Sequence, residues 1–290
     1  MRRHAGITSS LACEVLRTRP HCLSWIAPSM SSSWIGAEMA ITKKHLRLAV
    51  YAPALAGDDG RPLAIVHGLE SAVPGLWLGW TSSETEELVA LPHRDEWVVS
   101  NKTDGGLPFL CNDDENHLVT VAGWESPGRL APGSRPRFEV HADWPLDEAG
   151  IAAAVDVLAT TGDSARAFWG YVDPEGVAVT VAQQFRHPGD ESSVPPHGLP
   201  FLKLPEDLRS DEIPHFLGWL NYWSAAAARA IGFPDPTRDA ELLSRARRTA
   251  TGGWVVQLTD APLDLDNPAH LDTLKRTYER FPEIGGRATP

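Results

Sequence analysis

His45-Leu46-Arg47-Leu48-Ala49-Val50-Tyr51-Ala52 sets the fold class. Leu46, Leu48 and Val50 alternate with His45, Arg47 and Ala49, the period of a strand with one buried face. Arg137–Ala142 repeats the pattern: Phe138, Val140 and Ala142 face one way, and Glu139, His141 and Asp143 the other. Between and beyond these two stretches, helical and strand signals are interspersed. Asp58, Asp59 and Gly60 form a turn, and Pro62 sits in the first turn of a helix over 61–73, stopped by Pro74-Gly75. Leu76–Thr81 reads as a strand, and 87–91 and 96–100 as short strands around Pro92. Residues 101–117 read as a polar loop, 118–123 as a strand, and Pro127 to Pro136 as a Pro/Gly turn. Asp147 caps a helix over 148–160, where Ile151, Val155 and Leu158 hold helical spacing. Ala167–Val172 is a strand, and Gly176–Phe185 fits strand or helix. After a Pro-rich connection over 186–212, the second half of 216–231 is a helix on Ala225–Ala228, ended by Gly232. A short helix over 239–248, a strand over 253–259 and a helix opened by Asn267-Pro268 and running to Arg280 complete the chain. No regular βαβ beat is present. The expectation is an α+β protein with a mixed or antiparallel sheet and helices packed on it.

The chain has 290 residues, enough for one large domain without help from disulfides or metals. Residues 39–290 read as a single α+β domain, with 186–212 the place for any subdivision. Residues 1–38 differ: they are Ser-rich and aperiodic, and they read as a disordered tail or a mis-called extension ahead of Met39. Glu14, Arg17, Arg19 and Pro20 interrupt what would be the apolar core of a signal peptide. Cys13, Cys22 and Cys111 are too few and too unevenly placed for a disulfide framework, so a reducing cytoplasm is expected. No run of apolar residues is long enough to span a membrane.

A formal net charge of −12 repels phosphate backbones and anionic lipid surfaces, so neither nucleic acid nor membrane is expected as a partner. A basic protein would instead be steered in. Acidic clusters fall in turns, where solvation is their usual role. The sharper reading gives Asp113, Asp114 and Glu115 to a basic partner. Eleven tryptophans is a high count for a residue that favours cores and interfaces. Gly218-Trp219-Leu220-Asn221-Tyr222-Trp223 is the densest aromatic stretch. Core is the first reading for it, with Trp219 and Trp223 as the candidates for partner binding. No phosphate-binding loop, nucleophile elbow or zinc-protease motif occurs, and no cofactor or catalytic residue is assigned. Glu139, His141 and Asp143 share a strand face and have the donor types of a metal site, although such alternation is more often a solvated face. A small-molecule hydrolase would draw on His141, Asp143, Cys111 or the acidic loops. A structural or regulatory module would need none of these.

Leu48 to Leu63 (LAVYAPALAGDDGRPL), Gly218 to Ser224 (GWLNYWS) and Leu263 to Leu271 (LDLDNPAHL) resemble an uncharacterised bacterial family of unknown function. This resemblance spans nearly all of 39–290. The C-terminal half is also similar to the immunity protein 52 family of polymorphic toxin systems. That similarity rests on Gly218-Trp219-Leu220 with Tyr222 and Ser224, the strand over 253–259, and Asp266-Asn267-Pro268-Ala269-His270. It implies an α+β protein with no catalytic residues, which neutralises a neighbouring nuclease toxin of restriction-endonuclease fold. A nuclease presents basic residues to its phosphodiester, and an acidic inhibitor competes for that surface.

Overall fold

The structure is a computed structural model that describes residues 45–287 except 84, 86, 102–105, 127–134, 186–193 and 209. The tail at 1–38 lies outside the described residues. Among the described residues, ten strands form one sheet: β1 (His45–Pro53), β2 (Trp80–Ser82), β3 (Leu88–Ala90), β4 (Leu107–Cys111), β5 (Thr120–Ser126), β6 (Arg137–Pro145), β7 (Trp169–Pro174), β8 (Leu220–Trp223), β9 (Ala246–Arg248) and β10 (Trp254–Gln257). Their order is β3-β2-β4-β5-β6-β1-β7-β8-β10-β9. Every pairing between these strands is antiparallel, which narrows the mixed-or-antiparallel expectation. The helices are α1 (Arg61–Ala72), α2 (Arg94–Ser100), α3 (Glu148–Ala165), α4 (Glu175–Ala182), α5 (Ala225–Ala230), α6 (Ala240–Ser244) and α7 (Pro268–Arg280). β7 and β8 flank the Pro-rich connection in sequence yet pair directly, so the sheet runs through that point unbroken.

The opening stretch sits at the centre. β1 pairs with β6 on one side and β7 on the other, and its Leu46, Leu48 and Val50 are buried. Their face, with Phe138, Val140 and Ala142, takes the helix layer of α1 and α3. The α3 helix starts as expected, with Asp147 Oδ1 accepting from Gly150 N–H at 2.7 Å. It lies so close to β8 that a Cβ at Gly162 would come within 2.5 Å of the Tyr222 ring. On the other face, Phe281 at the end of α7 packs edge-on to Trp223, with ring centroids 5.4 Å apart.

Arg61 ties β1, α1 and α3 together. Its guanidinium donates to Pro53 O, Ala54 O and Ala165 O and pairs with Asp59 Oδ2 at 2.7 Å. That pairing holds the Asp59 carboxyl down to about 2.

Three local expectations are corrected. Residues 96–100 are not a strand but belong to α2, where Trp97 and Val98 pack into the core and Asp95 and Glu96 favour the helix N-terminus. The polar loop at 101–117 contains β4, whose pairing with β5 shifts register between Leu107 and Leu110, around Pro108. The helix expected over 239–248 stops at Ser244, and Ala246–Arg248 form β9 instead, paired with β10.

Candidate interaction site

Trp219 and Trp223 are both buried and present no ring to a partner. Trp219 donates through Nε1 to Thr259 O at 2.8 Å and through its backbone N–H to Asp173 Oδ1 at 2.8 Å. Trp223 packs against Phe233 and Phe281. Their role is core packing, and the aromatic docking face expected at these two positions is not formed by them.

Asp113, Asp114 and Glu115 are exposed in the β4–β5 loop. The loop is internally braced. Asp114 Oδ1 accepts from Asn116 N–H at 2.9 Å and His117 N–H at 3.2 Å, and these bonds lower its pKa. Asn112 closes the base, accepting from Val119 N–H at 2.8 Å and donating to His117 O at 2.9 Å. Asp113 and Glu115 are exposed on this braced loop.

The same sheet end carries an exposed tryptophan. Cys111 pairs with Trp80 and Trp80 with Ala90, so the chain leaves β4, enters β2 and leaves β3 on one side. Trp77, just before β2, is 55% exposed. It is nonetheless fixed. Its ring lies on the backbone of Gly79, where a Cβ would come within 2.1 Å of Nε1. The Arg94 guanidinium stands 4.3 Å from the ring centroid. Arg94 is itself buried, donating to Glu70 Oε1 at 2.8 Å, Glu70 Oε2 at 3.0 Å and Asp95 Oδ1 at 2.5 Å. Glu70 also accepts from Leu78 N–H at 2.8 Å. A large apolar ring held rigid in solvent loses little entropy when a partner covers it, the usual character of a binding anchor. Next to it, every residue of β3 is exposed, including Leu88 and Val89, and Val99 of α2 is exposed as well.

The polar face of β6 is engaged internally. Arg47 Nε donates to Asp143 Oδ1 at 2.9 Å, Ser126 Oγ donates to Glu139 Oε1 at 2.7 Å, and His141 stacks on Trp124 with centroids 4.6 Å apart. Among the described residues, no group of three His, Cys, Asp or Glu side chains is placed to hold a metal. Register places Cys111 on the same side as Thr120 and Asp143, but burial and the nearby Asp113 push its thiol up to about 11. Burial therefore favours the neutral thiol over the thiolate. Asp173 is fully buried and its carboxyl is pushed well above the ordinary range; Oδ2 has no hydrogen-bond partner among the described residues and faces Gly218.

A family model described as Domain of unknown function (DUF5953) matches residues 57–289. The chain belongs to the DUF5953 family. Among solved structures, it is similar to a Pseudomonas aeruginosa T6SS protein, PA0821, at 14% identity and a TM-score of 0.47, covering 82% of this chain and 73% of that one. No curated protein matches. Among the described residues, no helix of this DUF5953 chain is long and apolar enough to cross a membrane.

The sequence pointed to the acidic loop, which is exposed, and not to Trp77. The available signal was Leu76-Trp77-Leu78-Gly79-Trp80, in which Trp77 and Gly79 share one side of an extended chain and the glycine leaves room for a ring.

Proposed function

We propose that this DUF5953 protein is a non-catalytic, immunity-type protein of the cytoplasm that binds a cognate toxin of the nuclease class. In this reading, the acidic and tryptophan-bearing end of the sheet covers the toxin's basic substrate surface. The observation that supports it is the buried Glu70–Arg94 bridge under the exposed Trp77, at the same end of the sheet as the exposed carboxylates of the β4–β5 loop. Carboxylates speed encounter with a basic partner, and a central rigid ring slows release. The net charge of −12 acts in the same direction.

The test is to express the product of the adjacent gene and measure its binding. Nanomolar affinity that weakens with added salt is expected, together with rescue of cells from that product. Trp77→Ala is expected to weaken binding by about 30-fold or more, and Asp113→Asn with Glu115→Gln to slow association without altering the fold. If the neighbouring product does not bind, or co-expression fails to protect cells, the reading is wrong.

A further inference from the structure

We propose that β3 is a strand-addition site, and that its occupant is an extended cationic segment of a partner protein. This deepens the docking reading above and rests on it. Ser83 N–H donates to Glu87 O at 2.9 Å and Leu91 N–H donates to Gly79 O at 2.8 Å. In an antiparallel pair, N–H and C=O of one residue point the same way and successive residues alternate. Glu87, Val89 and Leu91 therefore turn their backbone groups toward β2. Leu88 and Ala90 turn theirs outward, at the edge of the sheet. Both residues are exposed, as is Val89 between them. The edge thus offers two donors and two acceptors spaced for one short strand, with apolar side chains on either face.

Proteins usually guard such an edge with charged side chains, proline or a bulge. β3 is short, at three residues, but carries none of these. Charge selects the occupant. Exposed Glu87 precedes the edge, and exposed Asp113, Asp114 and Glu115 lie beyond its far end. The nearby guanidinium of Arg94 is already shared between Glu70 and Asp95. An alternating apolar and basic strand fits both the backbone row and the flanking carboxylates. A second copy of this chain would instead bring its own carboxylates against them.

The experiment uses the full chain and a fluorescein-labelled, end-capped peptide of alternating valine and lysine, seven residues long, read by anisotropy at low salt. Binding is expected. The same peptide N-methylated at its three central residues keeps its charge and is expected to bind at least about tenfold more weakly. Leu88→Pro deletes an outward N–H without touching the β2 pairing, whereas Leu88→Ala keeps that N–H. Binding is expected to fall about tenfold further in the proline variant than in the alanine one, with matched thermal melts. Absent binding, equal binding of the methylated peptide, or equal effects of the two variants overturns the proposal. So does a dimer of the free protein that Leu88→Pro dissociates. An adjacent-gene toxin that binds normally while these peptide results fail leaves the docking reading standing and removes only strand addition.

Discussion

At the β9 edge of the sheet, arginines close the structure on itself. Arg247 pairs with Asp156 of α3 at 2.5 Å and donates to Val155 O at 3.2 Å, while Arg248 stands over the Trp254 ring at 5.4 Å. Behind that edge, Trp219 and Trp223 are buried, Trp223 against Phe233 and Phe281. At the β3 edge the arrangement is reversed. Leu88, Val89 and Ala90 are exposed, and the bracing network of Glu70 and Arg94 props a tryptophan outward. One edge uses its cations and rings to finish the fold. The other uses a cation to present a ring, which is the reason for placing recognition there.

The sharpest way to break this contrast is stability. Trp223→Ala is expected to cost about 3–5 kcal/mol in a denaturant titration, as for other fully buried aromatics, and Trp77→Ala less than about 1 kcal/mol. Equal losses would make Trp77 a core residue and end its role as an anchor. Acid is the next largest effect. The Asp59 carboxyl, held at about 2 by Arg61, contributes stability above its ordinary value near 3.8 that is lost as pH falls through about 2. The expected loss is about 2 kcal/mol, absent in Asp59→Asn. Fluorescence and far-ultraviolet dichroism should fall together if both sheet ends unfold as one unit.

Asp173, beneath the buried end, works in the opposite sense. Burial raises its carboxyl, so the folded protein holds a proton that the unfolded chain has released. Stability is therefore expected to fall as pH rises above about 4. Asp173→Asn should flatten that slope and melt higher than the parent at pH 8. The smallest effect is expected at Arg247→Ala, where an exposed ion pair contributes about 0.5 kcal/mol or less. Arg247→Val with Arg248→Val sharpens the comparison further. Stripping the guarded edge of charge should produce self-association, visible in light scattering.

Much of the fold was legible because local chemistry and tertiary packing agree. Asn267 caps α7 through Ala269 N–H, Pro268 occupies its first turn, and both of its ends fell where expected. β1 and β6 announced themselves by alternation. Legibility failed where the two conflict. Val98 and Val99 favour a strand, yet the packing of Trp97 and Val98 makes α2 a helix. Pro108 disguised β4 until its bulge was visible. The site divided in the same way. A run of carboxylates in a turn is exposed almost by composition, so Asp113, Asp114 and Glu115 could be read directly. Whether an indole is covered depends on residues far along the chain. Trp223 is covered by Phe281, and Trp77 is left open by an arginine at position 94.

The tight seat of α3 on β8 has a genetic consequence. The helix approaches so closely that only hydrogen fits at position 162, and the hydroxyl of Tyr222 meets the next residue, Asp163, at 2.9 Å. Positions 162 and 222 are thus a lock and its key, sixty residues apart in sequence. A methyl at 162 should be damaging beside the phenol ring and far milder beside a smaller side chain, so neither substitution alone foretells the double variant.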